Sequence, residues 1–418
     1  MVKHIDTGEN NVLNLVVKQY LESHDFNGLP YYYLEYDARD EICKLIDEDK
    51  VEIYSSKYEI NPHIKRLKQY LGKDKQKEEV INNPQSIVLY PTENYLKTLN
   101  LIEERPFTKM LMEGRPQLEI LYFKVEVLES YYQDPRYTVL SHDYRGKIYV
   151  NDDYRDELEG EYLKDFGLGY HKDKGNNDRV IGAFIGDLAD LSLNAQLKWK
   201  IHYIPNQEDY KINYSFYKNT ILGQWVDEVS IYDALLEEMI VINKMCENMG
   251  IPKLFKKTIK PHGYDKPEDY RIILLPTLKN YYSFILTLEK MIVHNINTKT
   301  FIKEGFYVKP IDRNDKKGEP KGSLVMFSEW LKNNIRTSED LDELIINPLK
   351  KIRKIRQVPA HEMYSNKYDK SLYRKQNELI IETYKAIRAI RLFFMNHPLN
   401  KDMEISEYLI TGEKIVVY

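Results

Sequence analysis

Apolar residues in this chain recur at spacings of three and four in its first and last parts and alternate with polar ones between. The first spacing lines one face of a helix, and alternation lines one face of a strand. Val12–Leu21 and Asp40–Ile46 carry the helical spacing, and Pro62 opens a basic segment through Leu71 that also reads as helix. A polar stretch, Gly72–Asn83, ends at Pro84 and reads as a boundary. From about Gln85 to Gln224 alternation takes over. Leu118–Leu128, Tyr137–Leu140, Lys147–Val150, Arg179–Ile185, Leu197–Ile204 and Tyr210–Tyr217 are the strand candidates. The second and third are joined through His142–Gly146, and Gly175-Asn176-Asn177 has turn chemistry. This pattern predicts an antiparallel or mixed sheet with helical insertions.

The helical spacing returns over Asp227–Met249, with Ile231, Leu235, Met239, Ile242 and Met245 in register before Gly250 and Pro252 stop it. Four more helices follow. The first, Pro276–Ile296, has the stripe Leu278, Tyr282, Ile285, Leu288 or Glu289, and Ile292. After a long polar connection, Lys303–Gly322, the second covers Ser323–Ile335. The third is expected to be capped by Ser338, to be kinked or restarted at Pro348, and to stop around Gln357 because Pro359 disfavours helix before it. The fourth covers Leu372–Phe394, with Ile380, Tyr384, Ile387, Arg391 and Phe394 aligned. The expected fold class is α+β. N-terminal helices (1–84) precede a sheet-containing regulatory or sensing domain (85–228), a connecting helix and linker (229–275) and a C-terminal four-helix bundle (276–418).

Composition narrows the function classes. With 418 residues, 42% of them hydrophobic, the chain can bury a core of ordinary size. No apolar run approaches the roughly 20 residues of a membrane span, and residues 1–11 have neither a hydrophobic stretch nor a small-residue cleavage site, so no membrane association and no secretory leader are expected. Two distant cysteines, Cys43 and Cys246, exclude a disulfide framework and a cysteine zinc site. These features predict a cytoplasmic protein.

The net charge of -4 argues against a general nucleic-acid coat. The stretch Ile346–Lys375 differs. Lys350, Lys351, Arg353, Lys354, Arg356, Lys367, Lys370, Arg374 and Lys375 face only Glu362 and Asp369 in it. Such a patch is a local anion site, and phosphate backbones are one candidate ligand; charge alone is more often the mark of a solvated helix face.

Within that stretch lies KKIRKIRQVPAHEMYSNKYD, with Arg356 and His361 five positions apart. The pattern Arg, four residues, His, between the last two helices of an α bundle, resembles the HEPN superfamily over about Pro276–Phe394. Gln357 stands where that family commonly has Asn, and no family resemblance extends to residues 1–275. The resemblance implies a metal-independent endoribonuclease acting on RNA as a homodimer through the bundles, with Arg356 and His361 catalytic and no cofactor. It further implies a bacterial defence or toxin effector. A histidine can move protons near neutral pH and an arginine fork suits a phosphorane's oxygens. Arg353, Lys354, Gln357, Tyr364 and Arg374 would hold RNA, and the N-terminal part would take a regulatory ligand or partner. The competing expectation is a non-catalytic HEPN-like binding or dimerisation scaffold, with Arg356 and His361 serving only the helix end.

No metal site is expected. The acidic run Asp152, Asp153, Asp156, Glu157, Glu159 and Glu161, with His171 and Asp173 beyond it, lacks the spacing of a calcium loop and reads as solvated. Gly182 and Gly186 lack phosphate-loop spacing, and Trp199, Trp225 and Trp330 read as core.

Overall fold

The computed structural model describes residues 11–261, 265–361 and 365–418, with the side chains of all of these except 176, 177 and 359–361. The fold is α+β, helical at both ends and sheeted in the middle. The chain divides into two compact units. The first comprises residues 1–139, 147–169 and 180–217; the second comprises residues 140–146, 170–179 and 218–418.

The first unit opens with α1 (Val12–Glu22), whose N-cap Asn11 accepts from the Asn14 N–H, then β1 (Leu29–Pro30), α2 (Arg39–Asp47), β2 (Val51–Ser55), α3 (Lys73–Asn82) and β3 (Ile87–Pro91). β3 lies between β1 and β2, antiparallel to both. The break expected near residue 84 is therefore absent: Ile87–Pro91 completes a small sheet with strands from the stretch read as wholly helical. Pro62–Leu71 forms no helix. Its Lys65 is instead drawn into the interior, where Nζ meets Glu52 at 2.5 Å and the Gly114 carbonyl at 2.8 Å. A buried ammonium needs such partners, and they set the path of the segment. The polar stretch after it is the helix α3, whose Gln76 accepts from the Ile53 N–H.

There follow α4 (Glu93–Thr98), α5 (Pro106–Met112), β4 (Ile120–Lys124), α6 (Glu129–Gln133), β5 (Tyr137–His142), β6 (Arg145–Val150), β7 (Asp165–His171), β8 (Gly175–Phe184), α7 (Ile185–Ala189), α8 (Leu193–Ile201), β9 (Tyr210–Ile212) and α9 (Tyr214–Thr220). The main sheet has the order β4-β8-β7-β6-β5, with β9 also on β7. Gly175-Asn176-Asn177 starts β8 rather than making the turn. Leu197–Ile204, expected as a strand, lies mostly in α8, which Ser192 caps. Its alternation misled because Leu197 and Ile201 are exposed, whereas Gln196 and Trp199 are buried.

The second unit contains β10 (Val229–Ser230), α10 (Ile231–Asn248), α11 (Leu278–Ile292), α12 (Lys299–Ile302), α13 (Ser323–Asn334), α14 (Asn347–His361), α15 (Ser371–Met395), α16 (Glu407–Thr411) and β11 (Ile415–Val416). α10 packs along α15, and α11 along α14. Buried Trp330 stacks near Phe301 and Phe394, while Trp225, expected in the core, is 90% exposed. Asp340, not Ser338, accepts from the N–H groups of Asp342 and Glu343. A single π-helical turn, Asp342–Ile346, leads without a break into α14, so the chain neither stops nor restarts at Pro348, and the wider turn lies just before it.

Candidate functional site

α14 carries five of the nine basic residues of the stretch Ile346–Lys375, Lys350, Lys351, Arg353, Lys354 and Arg356, and the structure changes its shape. The helix does not stop near Gln357 but continues through Pro359 to His361. The proline removes one backbone bond, and the residues after it stay helical. On a continuous helix, positions five apart differ by about 140° in azimuth. Arg356 thus lies inside the helix, and the break that would have let it meet position 361 is not there. The His361 side chain and all of Tyr364 lie outside the described residues.

Tertiary neighbours redistribute the charge. Lys351 is paired with Glu382 of α15 at 2.6 Å, and Arg374 with Glu378 at 2.9 Å. Lys370 meets Asp178, which is also 3.4 Å from Lys174. Burial pushes the Asp178 carboxyl up, but the two lysines outweigh it and hold it below the usual carboxylate range. Lys350, Lys354 and Arg356 have no ion pair to a described residue. Gln357 is exposed on the same helix.

Arg353 differs from the others. Its Nε lies 3.8 Å from Oε1 of Glu289 on α11, one of the stripe positions. Glu289 is 1% exposed, and its Oε2 has no hydrogen-bond partner. The same Oε1 lies 3.1 Å from Nε2 of His294. His294 sits just past the end of α11, where its N–H donates to the Glu289 carbonyl. Its own carbonyl accepts from Lys256 Nζ at 3.0 Å. Two bonds between Asn295 and the backbone of Lys257, and one from Asn297 to the Lys253 carbonyl, staple this loop in place. A buried carboxylate, a half-exposed imidazole and the Arg353 guanidinium of α14 thus share one region of the second unit. Sequence reading placed Glu289 only as an alternative stripe residue and never singled out His294. The available signal was an acidic residue on an apolar stripe, followed by a histidine at the helix end.

No family model, no curated protein and no solved structure matches this chain. The site is therefore read from its own geometry. Among the described residues no group of three or more His, Cys, Asp or Glu could hold a metal ion, and no helix is long and apolar enough to cross a membrane.

The first unit has a separate concavity, an open cleft of about 1650 Å³ lined by residues that include Phe26, Tyr33, Arg105, Lys147, Tyr162 and Asp187. Asp187 is wetted from the cleft but walled by protein on its other sides. Burial, with Asp190 and Asp165 nearby, pushes its carboxyl up to about 6.

Proposed function

We propose that this chain is a metal-independent endoribonuclease of the kind the HEPN resemblance implies, with α14 as its RNA-facing element. The observation that carries the reading is the set of cations on that helix with no ion pair to a described residue, Lys350, Lys354 and Arg356. Phosphate contacts of this sort hold RNA by charge and position its backbone. Arg356 would stabilise the charge that develops on the phosphate during attack by the neighbouring 2′-hydroxyl, and His361 would transfer a proton. The 140° between their positions makes a two-fold dimer the natural arrangement, in which Arg356 of one chain serves His361 of the other. Residues before about 275, with the cleft beside Asp187, would form the regulatory or sensing part. A role as a defence or toxin effector rests on the resemblance alone.

The test is purified protein against total RNA, beside Arg356→Ala and His361→Ala. Cleavage that persists in EDTA, leaves cyclic phosphate ends and spares a 2′-deoxy strand supports the reading. Loss of activity in EDTA, or equal cutting of the deoxy strand, refutes it. The unbroken helix also favours a second reading, a non-catalytic dimerisation scaffold, which predicts no cleavage under any of these conditions and a stable dimer by light scattering.

A further inference from the structure

Glu289 poses a problem of its own. Burying a carboxylate is costly unless cations and donors meet it. Here one oxygen faces both His294 and Arg353, and the other has no hydrogen-bond partner among the described residues. The protein holds a buried negative charge beneath two exposed groups that could both act on a phosphodiester. The His294 side chain is 59% exposed and that of Arg353 is 40% exposed. With Nε2 turned towards Glu289, the imidazole is left to present Nδ1. With Nε turned the same way, the guanidinium keeps its two terminal nitrogens, which make no hydrogen bond to a described residue. Both lie within 4 Å of the same oxygen, so His294 Nε2 and Arg353 Nε are no farther apart than those two distances together.

We propose that His294 is a proton-transferring catalytic residue for RNA cleavage, that Arg353 is the phosphate holder beside it, and that Glu289 positions both. The proposal rests on the RNA-cutting reading but moves proton transfer away from His361. In the step, the 2′-oxygen bonds to phosphorus while its proton passes to His294 Nδ1. The bond from phosphorus to the 5′-oxygen breaks, and that oxygen takes a proton from water. His294 then returns its proton to solvent, leaving a 2′,3′-cyclic phosphate and a 5′-hydroxyl. Glu289 fixes the ring orientation and favours the imidazolium formed midway, as a carboxylate behind a histidine does. The loop stapled through Asn295 and Asn297 keeps the imidazole in place before substrate arrives, which lowers the ordering cost of the step. Lys256 and Lys257 on the facing segment would carry the flanking phosphates.

The experiment compares wild type, His294→Ala, His361→Ala and Glu289→Gln on total RNA and on a mixed-sequence single-stranded RNA oligonucleotide. His294→Ala should lower kcat by roughly 10²–10⁴, the usual scale for a lost general base. RNA affinity should stay unchanged, the thermal midpoint should fall because buried Glu289 loses its nearer partner, and added imidazole should restore part of the rate. Glu289→Gln should lower kcat while RNA affinity stays unchanged, because the imidazole loses the group that orients it; a purely structural role would not split kcat from KM. Should Glu289→Gln fail to fold, the exposed position of His294 keeps the imidazole rescue decisive. If His294→Ala cuts RNA within about threefold of wild type, a gap too small for the loss of a general base, while His361→Ala does not cut, the inference is overturned and the ribonuclease reading stands. If wild type leaves both RNAs intact, both are overturned.

Discussion

Arg391 is the most sharply testable residue in the second unit. It lies on the buried stripe of α15 with 0% of its side chain exposed, as does its partner, Glu238 of α10. Its Nε donates to Glu238 Oε2 at 2.5 Å, and a terminal nitrogen donates to the Leu409 carbonyl at 2.6 Å. The other oxygen of Glu238 has no hydrogen-bond partner. Arg391→Met keeps the volume and removes the charge, leaving a buried carboxylate alone. Breaking one side of such a pair costs about 3–5 kcal/mol. The lost bond to Leu409 also loosens the segment that brings β11 alongside β10. Against a total stability of roughly 5–15 kcal/mol, that is a large fraction. For a unit of this size the midpoint should fall by about 6–20 °C. The assay is urea unfolding of wild type, Arg391→Met, Glu238→Leu and the double variant as a thermodynamic cycle. The double variant should recover most of the loss, because an apolar pair of similar volume needs no charge partner. Burial already pushes the Glu238 carboxyl up despite Arg391. A carboxyl raised in the folded state binds more protons there than in the unfolded chain, so its cost grows as pH rises through the raised value. The deficit of Arg391→Met should therefore be largest near pH 8 and shrink towards pH 5. A loss under 1 kcal/mol, or strict additivity in the cycle, would refute the argument.

Other outcomes follow from the same kind of accounting. Lys65→Met should destabilise the first unit by about 3–5 kcal/mol, since it strands Glu52 and removes the donor to Gly114; chemical denaturation measures it, and a neutral result would show that the ion pair is dispensable. Asp187→Asn should raise the thermal midpoint at pH 7.5 and leave it unchanged near pH 3, because the cost of a carboxyl held near 6 builds up as pH rises from the ordinary carboxylate value to the raised one. The gain should stay below about 1 kcal/mol, as the side chain is open to water and screened, and a lower midpoint at both pH values would contradict it. Asp178→Asn has the opposite sign. Its depressed carboxyl stabilises above the ordinary carboxylate value and loses that contribution as pH falls through the depressed one, so the variant should lose about 1–2 kcal/mol at pH 7 and the gap to wild type should narrow as pH falls below the ordinary carboxylate value in thermal melts.

Periodicity alone determined the α+β class and the positions of α1, α2, α10, α11, α13 and α15, because each has an apolar face wide enough to be read from spacing. It failed where a segment is short or where polar side chains decide its path. Pro62–Leu71 is shaped by buried Lys65, and Leu197–Ile204 joins a helix whose buried face includes Gln196. Neither cue has a period. The candidate site divides in the same way. The basic residues of α14 stand in the sequence, but which of them are neutralised depended on Glu382 of α15 and Glu289 of α11. Arg391 and Glu289 were both visible as charges on apolar stripes. Their partners, Glu238 across α10 and α15 and the pair Arg353 and His294 around α11, came only from packing. A buried charge must find its counterion in space, and distance along the chain carries no record of which residue that will be.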